Sequence, residues 1–220
     1  TSLSENKVLA TVVNLMEHTS IRVGNAGYEK LYGSYGLTTL KNKHVTISKE
    51  AIRFSFKGKK GVEHTISIKN KKLARIIRQC RDIPGKELFQ YYTPEGDAKS
   101  IDSGMVNNYI KETTQADFTA KDFRTWAGSI QALECFKVLE ETADAATIKK
   151  NIVEVLDTVS SKLGNTRSIC KKYYVHPGLI KLYEENRLKD FYPAGAAKIK
   201  TKVGLTAEEQ VLMRTLKKRV

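Results

Sequence analysis

Two adjacent tyrosines, Tyr173 and Tyr174, close the run Leu163-Gly-Asn-Thr-Arg-Ser-Ile-Cys-Lys-Lys-Tyr-Tyr174, beside Arg167, Lys171 and Lys172. A phenol ionises only near pH 10, so at neutrality it is a weak nucleophile. Neighbouring cations favour the phenolate. The chain carries a formal net charge of +14 and a pI of about 9.6. On such a chain, a tyrosine set among cations points to attack on a phosphodiester. Read alone, the segment is more plainly a surface helix with ordinary aromatic packing, so the other residues must carry the argument.

Four of them stand out. Arg22 lies in Ile21-Arg-Val-Gly-Asn25, where a helical pattern gives way to a loop. Lys59 sits at the tip of Lys57-Gly-Lys-Lys-Gly61. Arg124 lies in Lys121-Asp-Phe-Arg-Thr-Trp-Ala-Gly128, at the first turn of a predicted helix, and Asn165 follows Gly164 at another helix start. Each has a plainer alternative: a salt-bridging arginine, a solvated hairpin lysine, an N-cap asparagine. Their weight comes from occurring together and in this order.

The elements that must position them are mostly helical. Apolar spacing predicts helices over residues 3–18, Asn70–Cys80, Asp102–Thr113, Asp122–Glu141, Ala143–Leu163, Thr166–Tyr174, Gly178–Arg187 and Thr206–Val220. The last begins with the capping pattern Thr206-Ala-Glu-Glu209. Arg22–Gly36, with four glycines, reads as a loop. Strands are expected over Leu37–Ile47, Ala51–Phe56 and Val62–Ile68, the last two alternating apolar and polar residues around the Lys57–Gly61 turn. Leu88–Tyr91 reads as a short strand and Thr93–Lys99 as a loop. The expected fold is α+β and predominantly α, one domain over residues 1–220 with a small three-stranded antiparallel sheet.

Composition narrows the function. Hydrophobic residues make up 40% of the chain, enough for a substantial core. The basic excess points to a polyanion, nucleic acid first. Cys80, Cys135 and Cys170 have no metal-ligand or disulfide-framework spacing and read as reduced thiols of an intracellular protein. No apolar run approaches the roughly 18 residues of a membrane span, and no signal peptide is visible.

The ordered set Arg22, Lys59, Lys121-Asp-Phe-Arg124-Thr-Trp and Gly-Asn165-Thr-Arg-Ser-Ile-Cys-Lys-Lys-Tyr-Tyr174 resembles the catalytic domain of type IB DNA topoisomerases, in their poxvirus-like and bacterial branch. The resemblance runs from about Ile21 to Pro177 and includes Tyr35-Gly-Leu-Thr-Thr-Leu-Lys-Asn-Lys-His-Val45 and Phe56-Lys-Gly-Lys-Lys-Gly-Val-Glu-His64. It implies the tyrosine recombinase/type IB topoisomerase core fold, and relaxation of supercoiled DNA through a 3′-phosphotyrosyl intermediate. The cleavage residues carry over as Arg22, Lys59, Arg124, Asn165 and Tyr174, with Lys121 assisting. Tyr174 is the nucleophile by this match, nine positions after Asn165; Tyr173 is read as a packing neighbour. Viral and larger cellular relatives carry histidine at the Asn165 position and bacterial ones often asparagine, so a bacterial-type enzyme is expected.

These roles are physically coherent. Two arginine forks can hold the non-bridging oxygens of a five-coordinate phosphorus. A lysine on a hairpin can protonate the leaving 5′-oxygen. The phosphotyrosine bond conserves the phosphodiester energy, so no ATP is expected, and no GxxxxGK[ST] loop is present. No carboxylate cluster calls for magnesium, and no cofactor is expected. Double-stranded DNA is the expected partner, with Tyr28, Lys41, Lys43, Lys57 and Lys60 as backbone contacts. A monomer is expected, cytoplasmic and nucleoid-associated. The resemblance also implies a β-rich N-terminal clamp domain, which is expected to lie outside residues 1–220. A tyrosine recombinase is the nearest rival, but the helix at Arg124 has no His-x-x-Arg box. A non-catalytic DNA-binding module is the other alternative.

Overall fold

The computed structural model describes residues 3–139, 142–192 and 204–218. They fall into two compact units, Thr1–Phe123 and Arg124–Val220. The sequence reading treats the chain as a single domain; the division falls near the start of a continuous helix.

In the first unit, α1 (Glu5–Thr19) buries Val8, Leu9, Val12, Leu15 and Met16, a stripe at helical spacing. It stops at Ser20, left-handed at φ 55°, whose N–H returns to the Met16 carbonyl. The three-stranded antiparallel sheet is present, ordered β1-β2-β3: β1 Val45–Ile47, β2 Ala51–Lys57, β3 Glu63–Lys69. Strand β2 turns Ile52, Phe54 and Phe56 into the core, opposite Ile68, Ile66 and His64 of β3. This is the period-2 burial expected of a half-covered sheet.

Three local expectations fail, each for a stated reason. Most of Leu37–Ile47 is not strand. Residues Leu37–Thr39 and Asn42–His44 form 3-10 turns, and only Val45–Ile47 pairs. The Thr39 hydroxyl accepts from the Gly36 N–H at 3.0 Å, and the His44 Nδ1 accepts from the Lys41 N–H at 3.0 Å. These side chains supply local partners that compete with a ladder. The expected loop at Arg22–Gly36 holds α2 (Ala26–Tyr32), capped by Asn25 and ended by Gly33 at φ 57°. None of its residues is buried: its apolar Tyr28, Leu31 and Tyr32 stand exposed, and the surrounding glycines mask so short a helical pattern. Finally, β4 (Gln90–Tyr92) pairs with β5 (Ala98–Ser100), whose side chains are all exposed and show no alternation. The unit is completed by α3 (Lys71–Arg81), capped by Asn70, and α4 (Ser103–Thr114), capped by Asp102.

Helix α5 (Ala120–Lys137) enters the second unit. Its expected end at Glu141 lies outside the described residues. It is followed by α6 (Ala145–Leu163), α7 (Arg167–Tyr173), α8 (Pro177–Glu184) and α9 (Ala207–Lys217). Leu133, Phe136, Leu156, Val159, Leu179, Leu182, Val211 and Leu212 form the core of this unit. The anticipated capping box between Thr206 and Glu209 is present, and Glu209 also accepts from the Trp126 indole at 2.8 Å. Among the described residues, no helix is long and apolar enough to cross a membrane.

His44 offers a test of the first unit. Its ring is buried, lies 4.3 Å from the Tyr35 ring and accepts a backbone hydrogen bond, all of which favour neutral imidazole. Burial, reinforced by Lys43 and Lys41, lowers its pKa below the usual histidine value. A depressed pKa means the unfolded chain binds the proton more readily, so the contribution is present above about pH 6.5 and is lost on acidification. Melting temperature should therefore fall between pH 7.5 and pH 5, and His44→Gln should flatten that slope.

Candidate active site

The sequence-chosen residues fall in both units. In the first, Arg22 sits where two backbone segments meet closely. Its carbonyl accepts from the Leu37 N–H at 2.9 Å, and the Val23 carbonyl accepts from the Thr38 N–H at 2.7 Å. A Cβ on Gly36 would lie 2.6 Å from the Arg22 carbonyl oxygen and 2.6 Å from the Gly24 Cα. Gly24 itself has φ 104°, a conformation that L side chains rarely adopt. The two glycines thus permit the contact that fixes the Arg22 backbone.

The same segment ties to the hairpin through Tyr35, whose N–H donates to the Lys57 carbonyl at 2.8 Å. The hairpin tip is a short turn, Lys59–Gly61. The His64 ring stacks on Phe56 and covers the backbone at Gly58, where a Cβ would come within 2.5 Å of the imidazole. Lys59 is exposed, and its ammonium lies 5.5 Å from the centre of the Tyr28 ring on α2. Arg22, Tyr28 and Lys59 therefore share one framework. Lys43, Lys57 and Lys60 are exposed. Lys41 is not: its ammonium is clasped by Glu29 at 2.7 Å and Glu87 at 2.9 Å. The hydrogen bond from Lys41 holds the Glu87 carboxyl below its ordinary range.

Lys121 lies in the first turn of α5, which starts two residues before the predicted Asp122. The start is fixed by Asp122, which accepts from the Thr119 N–H at 2.8 Å, and by Asn107, which accepts from the Ala120 N–H at 2.9 Å. These caps set the rotation of the helix that carries Lys121 and Arg124.

The second unit brings Arg124 and Tyr174 together, and Asn165 follows two residues after the Leu163 carbonyl that Arg124 binds. Helix α6 ends in a Schellman turn: Gly164 is left-handed at φ 57°, its N–H meets the Ser161 carbonyl, and the Asn165 N–H meets the Ser160 carbonyl at 2.9 Å. The neighbouring Leu163 carbonyl takes a 2.6 Å hydrogen bond from the Arg124 guanidinium. A cation at the negative end of a helix is favourable. Arg124 is only 5% exposed, and its guanidinium carbon lies 5.3 Å from the centre of the Tyr174 ring. Burial lowers its pKa, while a side-chain hydrogen bond with Tyr174 opposes the shift. Thr166, not Asn165, caps α7, accepting from the Ile169 N–H. The N-cap reading of Asn165 is thereby corrected.

The tyrosine run also needs correction. Arg167 is turned to Asp157 in a two-pronged ion pair at 2.6 Å, and Lys172 lies over Tyr173. The cation facing Tyr174 is Arg124, 50 positions away in the chain. Tyr173 is 43% exposed, whereas Tyr174 is the half-buried ring, set against the core of the unit. Sequence reasoning missed Gly128 and Ser129, which touch the Tyr174 backbone. The signal available was a glycine inside a helix one turn beyond Arg124.

The sequence profile of the family described as "Eukaryotic DNA topoisomerase I, catalytic core" matches residues 1–192. The chain is 31% identical over 192 residues to DNA topoisomerase 1B of Acanthamoeba polyphaga mimivirus, covering 83% of this chain and 56% of that protein. It is 26% identical over 191 residues to DNA topoisomerase I of Monkeypox virus, covering 86% of this chain and 58% of the relative. DNA topoisomerase 1B of Vaccinia virus (strain Copenhagen) gives the same identity and coverage. The chain thus spans a little over half the length of these curated relatives. All three are viral, so they lend no support to the bacterial-type expectation drawn from Asn165.

Arg124→Ala removes the donor to the Leu163 carbonyl at the end of α6 and opens the core beside Tyr174. A loss of about 1–3 kcal/mol in unfolding free energy is expected. Arg124→Lys should recover only part of it, because an ammonium lacks the fork. Urea denaturation of the three proteins checks this ordering.

Proposed function

The chain belongs to the type IB DNA topoisomerase family, and from that premise we propose that it relaxes supercoiled DNA by cutting and resealing one strand. The Tyr174 oxygen attacks a backbone phosphorus and forms a 3′-phosphotyrosyl bond, while the bond to the 5′-oxygen breaks. The phenol proton leaves to solvent, and Lys59 donates a proton to the departing 5′-oxygen. Arg22 and Arg124 hold the non-bridging oxygens as negative charge grows on them. Asn165 adds a neutral amide donor, with Lys121 assisting. After the cut strand rotates, the 5′-hydroxyl attacks the phosphotyrosine and reverses the step, so the cycle consumes no ATP.

One observation supports this reading: a buried arginine, fixed by a helix-terminal carbonyl, faces the ring of the tyrosine that the sequence motif suggests as nucleophile. An arginine so placed is preorganised for a phosphate, because its position does not have to be found during the reaction. The DNA backbone would run along Tyr28, Lys43, Lys57 and Lys60. Lys41 would join them only by exchanging Glu29 and Glu87 for a phosphate.

Two experiments test the proposal. Wild-type protein should convert supercoiled plasmid into a ladder of topoisomers without ATP or magnesium. Tyr174→Phe should abolish the denaturant-resistant protein–DNA adduct and keep DNA binding. An adduct that survives Tyr174→Phe overturns the assignment, and site-specific strand exchange in place of relaxation favours a recombinase. Lys59→Met should slow cleavage of ordinary DNA. It should cleave near the wild-type rate when the 5′-bridging oxygen is replaced by sulfur, since a thiolate leaves without a proton. A Lys59→Met rate that sulfur does not rescue removes Lys59 from the general-acid role.

A further inference from the structure

Tyr174 lies just past the end of α7, as the residue that caps it, with φ −124° and ψ −15°. A helix end is a poor foundation for a nucleophile, since terminal turns lack partners for their last carbonyls. The structure supplies those partners from α5. The Thr125 hydroxyl donates to the Tyr173 carbonyl at 3.3 Å. The Ser129 hydroxyl donates to the Tyr174 carbonyl at 3.4 Å and accepts from the His176 N–H at 3.1 Å. Between them is Gly128, where a Cβ would lie 2.4 Å from the Tyr174 carbonyl oxygen, 3.1 Å from its carbon and 3.1 Å from the Tyr174 Cβ. Gly128 is within a regular helix, so its value here is space and not backbone freedom. Glycine in a helix interior is less favourable than alanine, so its presence here is not explained by helix propensity.

Residues 125, 128 and 129 lie on one face of α5, at spacings of three and four. Arg124 adjoins them on the same helix and touches the Tyr174 ring. One rigid element therefore holds the backbone of the tyrosine and the guanidinium that faces its ring. We propose that Gly128 and Ser129 are positioning residues for Tyr174: they seat its backbone against α5 so that the phenol and Arg124 meet the phosphate in a fixed relation. This rests on Tyr174 being the nucleophile. Any side chain at position 128 must push the tyrosine turn away from the helix, and loss of the Ser129 hydroxyl unties that turn at both ends.

The test is single-turnover cleavage of a duplex oligonucleotide by the full chain, at saturating protein, with DNA affinity and melting temperature measured alongside. Gly128→Ala should slow cleavage on the order of 100-fold, the scale of a misplacement near 1 Å. Ser129→Ala should slow it about tenfold, with Ser129→Thr restoring most of the rate because it keeps the hydroxyl. DNA affinity should stay within about threefold throughout, which separates positioning from binding. A 5′-bridging sulfur should rescue none of these variants, because their defect lies in attack and not in protonation. Wild-type-like cleavage by Gly128→Ala, or a Ser129→Thr protein no better than Ser129→Ala, overturns the proposal. Should Gly128→Ala fail to fold, the Ser129 pair decides alone. Should the wild-type protein form no adduct, the catalytic reading itself fails. The seat is then read from the Tyr174 ring carbons by NMR, which must shift in Ser129→Ala and not in Ser129→Thr; unchanged signals in both overturn it.

Discussion

The hydrogen bond from the Arg124 guanidinium to the Leu163 carbonyl organises the second unit. It joins the second turn of α5 to the last turn of α6, at the point where the chain reverses through Gly164 into α7. A buried guanidinium is costly unless its donors are used. Here a carbonyl at the negative end of a 19-residue helix meets part of that demand, and Tyr174 meets another. Removing the arginine disturbs three elements together, and all three bear on the tyrosine.

The first unit solves a similar problem by backbone contact. Gly24 and Gly36 let two segments approach until Arg22 is bracketed by main-chain hydrogen bonds. Tyr35 extends that bracket to the strand end before Lys59. Helix α2, which buries nothing, is held by its Asn25 cap, by the ion pair of Glu29 with Lys41 and by the approach of Lys59 to Tyr28. Polar and cationic contacts replace a core here. Such contacts weaken as salt rises.

How much of this was legible follows from what a one-dimensional pattern can encode. The long helices and the β2–β3 hairpin were legible because their apolar residues repeat at 3.6 or 2 positions. Helix α2 was hidden because it is only seven residues long and set among glycines, and Leu37–Thr39 because Thr39 spends its hydroxyl on the local backbone. The order Arg22, Lys59, Arg124, Asn165, Tyr174 was legible through family resemblance, whereas their surroundings were not. Arg167 looked like the cation for the tyrosines until Asp157 claimed it. The ion pairs of Lys41 were equally hidden, since Glu87 lies 46 positions away in the chain and shares its charge with Glu29. Gly128 reads in sequence only as a weak helix former; its reason lies in a carbonyl brought to it by another helix.

The most direct measurement is the identity of the residue joined to DNA. Adduct formed on supercoiled plasmid is digested with trypsin and nuclease, and the modified peptide is sequenced by tandem mass spectrometry. Cleavage after Lys172 and Lys181 leaves both tyrosines on one peptide, so fragmentation separates them. The account expects a nucleotide joined through a 3′-phosphate to Tyr174. The same group on Tyr173, or on any other residue, contradicts it.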